Sequence, residues 1–210
     1  MTQQAQGRNG RMTWMVGLAV AVLAVVVWFG IAQEPDEALL DEIRADLIPG
    51  EEAATAYGIR LSLHSLPQSV EWWYTMVPLV EHDPRYVDAL TSLVAPCCDD
   101  NLAVKCCCES DEGQACNLIR SGKGLAAHLI VDLGFGTEQV NANVLEWFRF
   151  ARPDYYLAAE LEARGISPIP YGLTTEGSCY RGLCNAPISA GGCGGMVELI
   201  EPAIEPIIGG

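Results

Sequence analysis

The chain has 210 residues, half of them hydrophobic, and a formal net charge of −15. That length and apolar content suffice for one domain core plus an appendage, so folding need not depend on cross-links. The acidic balance excludes a nucleic-acid binder, which needs a basic surface to neutralise phosphates.

Residues 12–32, MTWMVGLAVAVLAVVVWFGIA, carry no charge. At about 1.5 Å per residue, roughly twenty apolar residues cross a bilayer core. Arg8 and Arg11 precede the segment, and every acid of the chain follows it. The positive-inside rule then keeps residues 1–11 in the cytoplasm and exports the rest. Trp14 and Trp28 stand near the two ends, where amphipathic rings favour the interface. The expectation is an N-terminal transmembrane helix making a single pass of the cytoplasmic membrane, with the main domain extracytoplasmic. A cleaved signal peptide ending at Gly30-Ile31-Ala32 is the alternative.

In residues 33–68, Leu39, Leu40, Ile43, Leu47 and Ile48 share one helical face, and Pro49-Gly50 ends it. This reads as a stalk helix above the membrane. Tyr57, Ile59, Leu61 and Leu63 alternate with small or polar residues, which predicts a short strand or an extended arm.

Residues 69–165 read as a small helical bundle. Trp72, Trp73, Met76, Val77 and Val80 suit one helix, with Pro78 limiting its end. Asp83-Pro84 opens another, with Tyr86, Val87, Leu90, Leu93 and Val94 on its apolar side, running up to Pro96. Leu125, Ala126, Leu129 and Ile130 mark a third. Thr137 is placed as the cap of a fourth, whose core side is Val140, Val144, Leu145 and Phe148. Pro153 opens a fifth that Gly165 ends. Residues 166–196, rich in Gly, Pro, Ser and Thr, predict an ordered loop, and 197–210 a tail with Pro202 and Pro206. The fold class expected is therefore mainly α, with a Cys/Gly-rich loop region.

Nine cysteines punctuate this plan, six of them between Pro96 and Cys116. In an exported domain disulfides are the first expectation. Nine is odd, however, and the trans peptide keeps adjacent cysteines such as Cys106-Cys107-Cys108 from bonding one another. Thiolates also select copper, zinc or an iron–sulfur cluster. No C-x2-C pair of the kind usual at zinc is present, but Cys106 and Cys108 form a C-x-C, and glycines 191, 192, 194 and 195 flank Cys193. Redox thiols are the third option, with Lys105 before the triplet and Arg120 in the stretch after Cys116, against a surround of acids. Metal ligation is assigned to Cys97, Cys98, Cys106 and Cys108. Cys107, Cys116, Cys179, Cys184 and Cys193 are assigned as disulfide partners or secondary ligands. His64 and His82 read as ordinary polar residues. No standard catalytic frame occurs, which leaves enzymatic activity open.

LVAPCCDDNLA, LIVDLGFGTEQV and the N-terminal apolar helix together resemble the cytochrome c maturation protein H family, over at most residues 85–150. The resemblance implies a membrane-anchored helical domain with two cysteines that reduce the haem-binding thiols of apocytochrome c. In that family two residues separate the pair, whereas Cys97 and Cys98 are adjacent. APCC with the later triplet is similar to exported bacterial proteins with a PCYCGC motif, echoed by Cys106 and Cys108.

The function expected is handling of a soft metal, or thiol–disulfide exchange, in assembling a respiratory metalloprotein. The partner expected is a basic or thiol-bearing client such as a cytochrome. The alternative is a non-catalytic accessory or interaction protein, stapled by disulfides, with an acidic docking surface.

Overall fold

The computed structural model describes residues 35–50, 62–97, 102, 115–196 and 198–199. The 12–32 segment lies outside these residues, as does most of the expected strand. Among the described residues no helix is long and apolar enough to cross a membrane. They form helices, turns and loops, without a strand.

Six helices follow in order: α1 (Glu37–Leu47), α2 (Leu66–Val80), α3 (Pro84–Thr91), α4 (Asn117–Val131), α5 (Thr137–Ala151) and α6 (Pro153–Ala163). Local chemistry sets several of their ends. Asp36 caps α1 by accepting from the Leu39 amide at 3.1 Å. Asp83 caps α3 by accepting from the Arg85 amide at 2.8 Å. Gly165, at φ +75°, closes α6: its amide donates to the Glu162 carbonyl and the Ile166 amide to Leu161.

α4 is the axis of the domain. It packs on α2, α3 and α5 and is buried along nearly its whole length. Two glycines allow this close approach. A Cβ at Gly124 would lie 2.0 Å from the Ser69 carbonyl oxygen of α2, and one at Gly122 would lie 2.3 Å from the Phe148 ring of α5. Leu118, Ile119, Leu125, Leu129, Val144, Trp147 and Phe148 fill the core around this axis. Ser121 sits inside it with its polar valences met: its hydroxyl accepts from Trp147 Nε1 at 2.9 Å and donates to the Leu118 carbonyl at 2.7 Å. Trp72 of α2 stacks on His128 of α4, with ring centroids 3.9 Å apart.

Several sequence expectations are corrected. α1 is no free-standing stalk, because Leu40 and Ile43 bury against Leu157 and Leu161 of α6 in a second apolar cluster. A helical stripe buries wherever a matching stripe is offered. Leu63 does not extend a strand but begins a 3-10 turn, Leu63–Ser65, which leads into α2. Pro78 lies within α2, two residues before its end at Val80, in keeping with its expected role of limiting the helix. α3 ends at Thr91, short of Pro96. Asn141 of α5 donates to the Ala89 carbonyl and the Ser92 hydroxyl there, and the chain then turns away with Val87 and Val94 exposed. Gly136, not Thr137, holds the N-cap position of α5; its amide donates to the Gln139 side chain at 3.2 Å.

The 166–196 region is an ordered loop as expected, with 3-10 turns at Ile169–Tyr171 and Ile188–Ala190. It lies against the N-terminus of α4. The Asn117 and Leu118 amides, which have no intrahelical acceptor, donate to the carbonyls of Gly195 (2.9 Å) and Cys193 (3.1 Å). Asn117 Nδ2 donates to the carbonyls of Gly194 (2.8 Å) and Glu198 (3.0 Å).

Candidate metal centre

Three chain segments deliver five sulfurs to one end of α4. Cys97 ends the turn after α3, Cys116 is the N-cap of α4, and Cys179, Cys184 and Cys193 come from the loop. The segments are tied by backbone bonds. The Cys179 amide donates to the Cys97 carbonyl at 2.9 Å, and the Gly195 amide to the Cys184 carbonyl at 3.2 Å. Gly192 is required inside the loop, because a Cβ there would fall 2.2 Å from the Ala186 carbonyl oxygen.

The Sγ atoms of Cys97 and Cys116 are 3.6 Å apart, and those of Cys179 and Cys193 are 3.5 Å apart. Cys97, Cys116 and Cys193 form a buried group of three whose sulfurs all lie within 4.8 Å of one another. Cys179, Cys184 and Cys193 form a second such group, with the first two half-buried. Cys193 belongs to both. No disulfide joins any two of these five. A disulfide would hold its sulfurs at about 2.05 Å. Four thiolates around one ion at about 2.3 Å stand some 3.8 Å apart. The observed pairs fall near the second spacing, so these cysteine groups could hold a metal ion.

The electrostatics of the buried pair are unequal. Hydrogen bonds from the Cys193 and Cys97 thiols, with help from the Ile119 amide, hold the Cys116 thiol well below the usual thiol range despite its burial. Cys97 is pushed well above that range by its thiol neighbours Cys116, Cys179 and Cys193 and by burial. Cys116 also stands at the positive end of a fifteen-residue helix, which favours its thiolate form.

Arg152, at the α5–α6 junction, is fully buried beneath the centre. Its guanidinium donates to the Pro96 carbonyl at 3.1 Å and to the Ser178 hydroxyl, which in turn donates to the Gly191 carbonyl at 2.9 Å. Nε and Nη2 form a fork onto Asp154, both at 2.9 Å. Pro96 and Ser178 directly precede Cys97 and Cys179, and Gly191 is two residues before Cys193. One side chain thus fixes the three stretches of backbone that carry these sulfurs.

Of the expected primary ligands, Cys97 is in the centre, whereas Cys98, Cys106 and Cys108 lie outside the described residues, as does Cys107. The cysteines assigned a secondary or disulfide role, Cys116, Cys179, Cys184 and Cys193, all converge on Cys97. His64 and His82 stand outside both sulfur groups. Sequence reasoning missed Arg152 altogether. Its only signal was a charged residue ahead of the helix-opening Pro153. The glycines around Cys193 did point to a close backbone approach, and Cys116 did stand at a helix start. No protein-family model matches the chain, and no curated protein or solved structure does either.

Proposed function

We propose that the protein holds a soft metal ion on the thiolates of Cys97, Cys116 and Cys193, with Cys179 and Cys184 at the accessible edge of the centre. The observation that carries this reading is the buried three-sulfur group, all within 4.8 Å of one another. Thiolates select copper(I), zinc and iron–sulfur clusters among biological metals. Discrete soft ions suit the spacing better than an iron–sulfur cluster. Cys193 lies close to sulfurs on both sides, leaving little room for an iron–sulfide core.

Two alternatives weigh less. Disulfide staples would join Cys97 to Cys116 and Cys179 to Cys193, but Cys193 is grouped with Cys97 and Cys116 as well. Disulfide exchange with a client draws support from the lowered pKa of the Cys116 thiol, yet Cys97 and Cys116 are fully buried and reactive cysteines need exposure. The charge-free 12–32 segment and the arginines before it support an exported, membrane-anchored carrier. The acidic chain suits a basic client as recipient of the metal.

The test is elemental mass spectrometry on the full chain purified without air or chelator. Bound copper or zinc that disappears in Cys116→Ser is the expected result. A metal-free protein whose thiols pair on exposure to air overturns the reading.

A further inference from the structure

The five thiols do not gather into one four-sulfur group. Among the described residues they divide into two groups of three that meet at Cys193, the inner one wholly buried and the outer one half-buried. Copper(I) is the soft ion that accepts three thiolates in a plane. Bonds of about 2.3 Å place such sulfurs roughly 4 Å apart, within the span of both groups. A thiolate sulfur has lone pairs enough to bridge two ions, and Cys193 occupies the shared corner.

We propose that the centre takes two copper(I) ions, one on Cys97, Cys116 and Cys193 and one on Cys179, Cys184 and Cys193, with the Cys193 sulfur common to both. This rests on the soft-metal reading and names its metal and stoichiometry. Loading is a proton exchange: two Cu⁺ and five thiols give a dicopper pentathiolate of charge −3 and five protons. Copper stays in the +1 state, so no oxidant or reductant takes part. The half-buried Cys179 and Cys184 make the outer ion the first to arrive and the first to leave. The inner ion passes to the outer position by exchanging ligands across Cys193.

The experiment is an anaerobic titration of the full chain with tetrakis(acetonitrile)copper(I), in a background where Cys98, Cys106, Cys107 and Cys108 are serine. The readings are copper bound by native mass spectrometry and copper–copper scattering in X-ray absorption. The expected result is two ions with a copper–copper vector, falling to one ion without that vector in Cys184→Ser. In Cys193→Ser the copper–copper vector is lost. A single ion, unchanged in Cys184→Ser, overturns the two-ion centre and leaves the soft-metal reading standing. No tightly held copper or zinc overturns both. Should the four-serine chain not fold by circular dichroism, the loss of one ion on Cys184→Ser is read in the otherwise native chain.

Discussion

Arg152 shows how one buried side chain governs the sulfurs without touching the chemistry. Its charge is balanced by Asp154, and its remaining donors satisfy Pro96 and Ser178. Arg152→Met would leave those acceptors buried and unpaired. Truncating one partner of a buried charged pair costs on the order of 3 kcal/mol, so a loss of that size is expected in urea unfolding. Metal affinity should fall as well, by about 10- to 100-fold, as when other outer residues that orient ligands are removed. Arg152→Lys keeps the charge but loses the planar fork, and an intermediate loss is expected. Asp83, only partly buried at the surface, gives a prediction of opposite character. Its hydrogen bonds with Arg85 hold its carboxyl below the usual carboxylate range. A depressed carboxylate stabilises the fold above its unfolded pKa and loses that contribution as pH falls through the folded value. Asp83→Asn should therefore melt lower than the native chain at neutral pH, and the gap should close in acid. A gap constant with pH would remove the cap's charge from the account.

At the scale of elements, the crossing of α2 and α4 decides the packing. In a solvent-facing helix Gly→Ala stabilises by about 1 kcal/mol, through propensity alone. At Gly124 the added methyl would meet backbone of α2 at 2.0 Å, and overpacking of that kind costs about 1–3 kcal/mol. The sign of the Gly124→Ala effect on the urea midpoint is thus a direct test, with destabilisation expected. This crossing also marks where the sequence stopped being legible. The apolar faces of α3, α5 and α6 follow from spacing and caps, and Tyr86, Leu90, Val140, Val144, Phe148, Leu157 and Leu161 are buried as that spacing requires. α4 does not follow in that way. Asn117, Arg120, Ser121 and Lys123 are polar or charged, yet all are buried. The aromatic rings of Trp73 and Tyr74 receive the Arg120 guanidinium, and the loop receives Asn117. Those partners lie far off in sequence, so no local pattern announces them. The same holds for the cysteines. Among the described residues the fold joins Cys97 to residues 19 and 96 positions further on, while Cys98, Cys106 and Cys108 of the expected ligand set lie outside them.

For the whole molecule, the cysteine centre reinforces links that the core already makes between the α3 turn, α4 and the loop. The loop over the end of α4 is held by backbone bonds, by Arg152 and by apolar contacts such as that of Ile188. A bound ion would tie the α3 turn, the α4 cap and the loop together. A ligand that binds only the folded state stabilises it by about 2.7 kcal/mol at a hundredfold excess over its Kd. Removing the ion with a thiol-competing copper chelator should then lower the melting temperature and open the loop to proteolysis first, while α5 and α6 resist. The measurement that tests the central claim most directly is metal content, set beside two variants. Full-length chain is purified anaerobically without chelator, and copper and zinc are quantified in the native protein, Cys116→Ser and Cys193→Ser. The account predicts tightly held metal in the native chain and its loss in both variants. Native protein without metal, or metal retained undiminished when Cys116 and Cys193 are replaced, would contradict it.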